Sequence, residues 1–344
     1  MSGSSSKNYK YKHYFITNRF VFDNGKVDDS GKKPVQDDLR FGEYQFNNVK
    51  DKGDYQVLEE PPASELEVMY KHADNATRRR NLPSEVVFNA LHRSMSRSGK
   101  GTGDVLFYIH GFNCSFHDSM KLIRVLHEKY VEDRQSPIKT IVAFCWPSNG
   151  KLREYREDAE DAVQSGRILG RLYTKLHAWF RRKHMNKNFR ECEQHIHVMA
   201  HSMGNRVLEA MIGTLARKGV APRAFFKQVV SVGADIDYDA YEVDKPMYNL
   251  IDYCDRIHVY FHDKDSALII SEETKNALRR LGRWGFKNSR RLPDNVYQCN
   301  VSDARDDDGS LDEKAFNHWY YYTSTSVVDD IIGVLKGSSS MYYE

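Results

Sequence analysis

Beyond Ser98-Gly-Lys-Gly-Thr-Gly103, short apolar runs alternate with longer segments whose apolar residues recur at three- and four-residue steps. The runs are Val105–Ile109, Thr140–Phe144, His195–Met199, Gln228–Val232, Ile257–Phe261 and Asn295–Cys299. Between them Leu169, Leu172, Leu176, Trp179 and Phe180 mark one apolar stripe at helical spacing, and Met203, Val207, Leu208, Met211, Ile212 and Leu215 mark another. Strands separated by helices pair in parallel, because a parallel partner can be reached only through a crossover. The pattern predicts an α/β domain over residues 101–337, with a mostly parallel central sheet and helices on both faces. Residues 338–344 are expected to form a disordered tail.

Residues 1–100 read differently. They are charged and irregular, with one or two strands such as Tyr14–Thr17 and a helix near Glu85–Met95. The stretch Asp23–Asp38 is rich in Gly, Asp and Lys and reads as a surface loop with little to bury. They are expected to form an N-terminal extension to the larger domain.

Composition removes several function classes. The chain carries 51 Lys+Arg against 48 Asp+Glu, a net +3, so no summed attraction to a polyanion is present and no nucleic-acid partner is expected. Its basic clusters, Arg78-Arg79-Arg80 and Arg279–Arg291, read as solvated faces. The 5 cysteines are odd in number and none forms a C-x-x-C pair, which argues against a disulfide framework or a zinc knuckle and for reduced thiols. Met1–Lys7 lacks the apolar core of a signal peptide, and nowhere do about 18 apolar residues run together. A cytoplasmic protein without a membrane span is expected. His258, His262 and Asp263 share a strand end, but without further ligands nearby no metal or cofactor is expected.

The stretch Ala200-His-Ser-Met-Gly204 falls at the corner between a strand and an amphipathic helix. A serine on a sharp turn at such a corner stands above the carboxyl ends of the strands. The positions two before and two after it must be small, and Ala200 and Gly204 are. Ser202 is thus the candidate nucleophile, with a helix-capping turn as the plainer reading.

A serine hydroxyl needs a histidine to take its proton and a carboxylate to orient that histidine. At a strand-to-helix serine of this kind the chain order is Ser, acid, His. Three histidines follow Ser202: His258 and His262 at a strand, and His318 in a loop before the predicted helix Val327–Leu335. His318 is the candidate base. Asp235, Asp237 and Asp239 follow one strand, and Asp263 and Asp265 follow the next. The later loop is the better choice, with Asp235 in reserve. Backbone N–H groups for an oxyanion would come from Met203 and from Phe112, in the loop His110-Gly111-Phe112-Asn113.

Several stretches, in order, resemble the α/β-hydrolase superfamily and, within it, the bacterial family of α/β hydrolases of unknown function, esterase- and lipase-like in pattern. They are Tyr108–Asn113, Phe144–Gly150 with Tyr155 and Asp158, His197–Asn205, Gly233–Asp237, Asp263–Leu268 and Asn317–Tyr321. The resemblance covers about residues 103–337, and Phe15-Ile-Thr-Asn-Arg19 also matches. It implies Ser202 as nucleophile, Asp265 as acid, His318 as base, and Phe112 and Met203 as oxyanion donors. His110, Gly111, Asn113, Trp146, His201 and Trp319 would line the pocket, with Trp146–Gly150 shaping its mouth. The implied activity is hydrolysis of a small-molecule or lipid carboxylic ester through an acyl-enzyme. The competing reading is the same fold used as a non-catalytic binding or scaffold module.

Overall fold

The computed structural model describes residues 8–33, 35–59, 82–96, 103–149, 154–184, 194–220, 225–274, 278–304 and 317–344. Its frame is a 9-stranded sheet, and its right-hand part is the one the apolar runs predict. The strands there are β4 (Asp104–Ile109), β5 (Ile138–Cys145), β6 (Ile196–His201), β7 (Phe226–Val232), β8 (Cys254–Phe261) and β9 (Val296–Asn300). All of them pair in parallel, in the order β5-β4-β6-β7-β8-β9. The strands are buried almost throughout, as parallel strands covered on both faces must be.

The two apolar stripes and the expected helices near Glu85–Met95 and Val327–Leu335 are helical, and Phe116–Tyr130 and Tyr320–Thr323 add two helices that the sequence does not mark. On one face lie α1 (Pro83–Ser96), α3 (Tyr155–His184) and α4 (Gly204–Arg217), whose Val87, Leu169, Leu172, Val207 and Met211 share a core with Val105, Val198 and Val229. On the other lie α2 (Phe116–Tyr130), the short α7 (Tyr320–Thr323) and α8 (Thr325–Lys336). Their Ile123, Leu126, Tyr321, Val327 and Ile331 pack on Leu106, Ile141 and Val230. Helices α5 (Ser266–Thr274) and α6 (Leu281–Trp284) lie between β8 and β9.

The N-terminal part departs from expectation. It supplies three strands, β1 (Tyr11–Thr17), β2 (Arg40–Phe46) and β3 (Asp54–Val57), and all belong to the same sheet. β1 runs parallel to β5, while β2 and β3 continue antiparallel from it. Phe15, Phe41, Tyr44 and Phe46 are at most 1% exposed. Asp23–Asp38 also buries more than a surface loop should, since Val27 joins the core and the Asp28 side chain is enclosed. The C-terminal residues, expected to be disordered, lie instead against β9. Tyr342 and Gln298 carbonyls accept from Asn300 and Glu344 N–H groups at 2.9 and 3.1 Å, and Ser340 bonds Asp330 at 2.7 Å. The expected solvated face at Arg279–Arg291 is only partly solvated: Arg280 is 2% exposed and bonds Asp237, Arg283 pairs with Glu272, and Leu281 and Phe286 are buried.

This strand order fixes where a site can be. From β4 the chain turns to β5 on one side, then crosses back to β6 on the other. The loops after β4 and β6 therefore leave in opposite directions and open a crevice at the carboxyl ends of the strands.

Candidate active site

Ser202 stands at that crevice, between β6 and α4, with φ +51°. The other non-glycine residues with positive φ among the described residues are Asn113 and Asn317, and both lie in loops the sequence assigns to the site. Backbone strain of this kind costs about 1–3 kcal/mol per residue and persists only where the surroundings enforce it. Here they do. The Ser202 N–H donates to Val232 O at 3.0 Å, and Ser202 O accepts from the N–H groups of Asn205 and Asp235 at 3.0 and 3.1 Å. The fully buried Asn205 amide adds bonds to Ala200 O at 2.8 Å and Ser202 O at 3.2 Å.

Two glycines permit the close approach of the neighbouring loop. A Cβ on Gly204 would lie 2.5 Å from Ile109 O and 2.7 Å from His110 O, and a Cβ on Gly111 would lie 2.8 Å from the Ser202 Cβ. The same contacts show that the His110–Asn113 loop passes directly beside Ser202. Phe112 packs its ring 5.6 Å from that of Tyr155, and Met203 is the buried N-cap residue just before α4, at the end where backbone N–H groups lack helical partners.

His318 is buried, and its Nδ1–H donates to Asp265 Oδ2 at 2.7 Å. Asp265 is 0% exposed and directly precedes α5; its other oxygen accepts the Leu268 N–H at 3.0 Å, so one carboxylate both caps the helix and orients the ring. Burial pulls the His318 imidazole down, but the Asp265 charge and hydrogen bond, with help from Asp235, outweigh it and leave the pKa above the usual 6.5. Burial pushes the Asp265 carboxyl up, against the pull of His318 and the Leu268 N–H. Tyr320 braces the histidine loop: its hydroxyl accepts the Gly233 N–H at 2.7 Å and donates to Tyr260 O at 2.9 Å. His201 Nε2–H donates to the His318 carbonyl at 3.1 Å, and their rings stand 4.6 Å apart.

The other candidate acids are engaged elsewhere. Asp235 accepts from the Tyr155 hydroxyl at 2.5 Å and from Ser271 at 3.0 Å, with Arg280 3.9 Å away. Asp237 pairs with Arg280, Asp239 faces Lys245 and Lys287 at 3.9 Å, and the Asp263 side chain is 57% exposed beside His262.

The expected pocket residues divide. Asn113 is exposed, and Phe112 and Trp319 are half-buried. Trp146 is instead fully buried: it stacks on the enclosed His110 ring at 5.3 Å and donates Nε1–H to His110 O at 2.8 Å. It braces the β4 loop from behind rather than shaping a mouth, and Gly150 lies outside the described residues. Tyr320 is likewise an internal strut. An apolar cavity of about 380 Å³ lies over the sheet between α1 and α3, lined by Phe88, Leu172, Trp179 and Phe226 but by none of Ser202, Asp265 or His318. Among the described residues no cluster of three His, Cys, Asp or Glu side chains could hold a metal ion.

Residues 89–334 match the family model described as "Alpha/beta hydrolase of unknown function (DUF900)". The chain belongs to that family. As a member of it, the chain is also 20% identical over 324 residues, 74% of its own length and 78% of the relative's, to the uncharacterized protein alr1448 of Nostoc sp.. Among solved structures, it is similar to a protein described as a cell surface hydrolase from Lactobacillus plantarum WCFS1, at 11% identity and TM-score 0.35, covering 70% of this chain and 94% of that one. It is also similar to a hyperthermophilic esterase from Pyrobaculum calidifontis, at 12% identity and TM-score 0.31, covering 80% and 98%. No helix among the described residues is long and apolar enough to cross a membrane.

Proposed function

We propose that the protein is a serine hydrolase that cleaves a carboxylic ester through an acyl-enzyme. The observation that carries this reading is the conjunction of a strained Ser202 at the β6–α4 corner with a buried His318–Asp265 pair bonded at 2.7 Å on the loops after β8 and β9. Ser202 Oγ attacks the ester carbonyl carbon and gives its proton to the His318 ring nitrogen that Asp265 does not hold. Asp265 fixes the tautomer and steadies the imidazolium. The Phe112 and Met203 N–H groups bind the carbonyl oxygen as it becomes negative. Collapse breaks the bond to the alcohol oxygen, which leaves with the proton from His318. Water then attacks the acyl carbon while giving a proton to His318; the bond to Ser202 Oγ breaks, His318 returns that proton to Oγ, and the acid leaves.

The buried free thiols of Cys114, Cys145, Cys254 and Cys299 fit a reducing compartment such as the cytoplasm. The substrate class is open to a direct test: a p-nitrophenyl ester series of increasing acyl length, assayed with wild type and Ser202→Ala. Turnover is expected for wild type and a loss of at least about 10³-fold for the variant. Equal rates for the two proteins would refute Ser202 as nucleophile.

A further inference from the structure

Arg19 is 0% exposed, yet among the described residues no carboxylate lies within ion-pairing distance of its guanidinium. It donates only to main-chain carbonyls: Cys114 at 2.7 Å, Asp28 and Asp29 at 3.3 Å, and Ser148 at 3.4 Å. A buried charge whose hydrogen bonds all go to neutral acceptors is costly even with the Asp28, Asp29 and Asp158 carboxylates attracting it from beyond ion-pairing distance, and an apolar side chain would fill the same space more cheaply. The acceptors identify what the charge does. Cys114 ends the loop that carries Phe112; Ser148 lies in the loop after β5; Asp28 and Asp29 belong to the N-terminal segment.

We propose that Arg19 is a positioning residue of the hydrolytic reaction, tying the β4 loop in place and setting a fixed positive charge behind the point where the oxyanion forms. This rests on the serine-hydrolase reading above. Each held segment is also held from its far side, so the clamp is rigid. The Ser148 hydroxyl donates to Asp158 at 2.8 Å, the Asn149 N–H donates to the same carboxylate at 2.9 Å, and the His117 N–H donates to Asp29 at 2.6 Å. Arg19 is held in turn, since its N–H donates to Thr17 Oγ1 at 3.0 Å and that hydroxyl donates to Cys145 O at 2.6 Å. Its field reaches the loop: burial holds His110 down to about 3, and the Arg19 charge pushes the same way. A planar guanidinium can spread donors over three segments, whereas a lysine ammonium supplies one compact charge.

The test uses the full chain with Arg19→Met, Arg19→Gln and Arg19→Lys, each checked for folding by thermal unfolding. Three readouts are taken: p-nitrophenyl ester kinetics, inhibition by an alkyl boronic acid that becomes a tetrahedral anion on serine, and inhibition by the matching uncharged alcohol. Folded Arg19→Met and Arg19→Gln should lose kcat by about 10–100-fold, with KM within about twofold, because the interaction is stronger in the transition state. Boronate affinity should fall in parallel and alcohol affinity should stay. Arg19→Lys should recover part of kcat. Folded variants with wild-type kcat and boronate affinity would overturn the proposal while leaving the hydrolase reading intact. So would failure of all three to fold, which would assign Arg19 to folding alone. An inert wild type would overturn both.

Discussion

At the scale of single residues, the site is a set of backbone demands as much as a set of reactive groups. Ser202 keeps φ +51° because its own N–H and C=O are both occupied and because neighbouring loops leave no slack. Gly204→Ala would place a methyl 2.5 Å from a backbone oxygen that cannot swing aside. Overpacking costs typically about 1–3 kcal/mol, so we expect a fall of several degrees in melting temperature with a disproportionate loss of activity. A variant of wild-type stability and rate would contradict the fit described. The raised His318 pKa has its own consequence. As the proposed base, His318 works only when neutral, so kcat/KM should rise with pH through a midpoint above 6.5 and be lost below it. Asp265→Asn removes the group that raises the pKa, so the midpoint should fall. The rate should also drop by about 10⁴-fold as the wrong tautomer forms. A pH–rate profile of both proteins checks this.

At the scale of elements, the sequence was most legible where one periodicity dominated. The runs from Val105–Ile109 to Asn295–Cys299 became β4 to β9 with ends moved by a few residues, since a strand buried on both faces needs an unbroken apolar run. β2 and β3 carried no such mark: Arg40-Phe-Gly-Glu-Tyr-Gln-Phe46 mixes charge with aromatics because it lies toward the sheet's antiparallel edge, and its partner cannot be read from its own residues. Ser202 and His318 could be singled out as candidates from local turns and chain order. Asp265 over Asp235 followed only from loop order and resemblance, because which carboxylate faces His318, 53 positions further along, depends on the fold. Arg19 and the bracing role of Tyr320 were invisible as roles for the same reason, since their partners include backbone atoms of distant segments. The placement of β1 yields a prediction. Deleting residues 1–58 removes the burial of Phe15, Phe41 and Phe46, about 1.5–3 kcal/mol each. That approaches the whole stability of a domain, about 5–15 kcal/mol, so the truncated chain should be insoluble or unfolded by circular dichroism. A folded, active truncation would show that the extension is dispensable.

At the scale of the whole molecule, stability should depend on acid through buried neutral histidines. Burial holds His13, His110 and His258 each down to about 3, with His127, Arg19 and Arg256 respectively adding to the effect. In the unfolded chain the same rings protonate near 6.5. Below that value the unfolded state binds more protons, so this stabilisation is present above pH 6.5 and is lost as the pH falls toward 3. His318 works in the opposite sense, since its raised pKa adds stability below 6.5 that fades as pH rises through its folded value. With several rings against one, the urea midpoint should drop between pH 7 and pH 4.5; a constant midpoint would contradict the account. The central claim concerns Ser202 itself. Wild type and Ser202→Ala should be treated with an alkyl fluorophosphonate, digested, and the modified peptide identified by mass spectrometry. One adduct on Ser202 in wild type, and none in the variant, is the predicted result. A wild-type protein left unlabelled, or labelled equally in the variant, would contradict it.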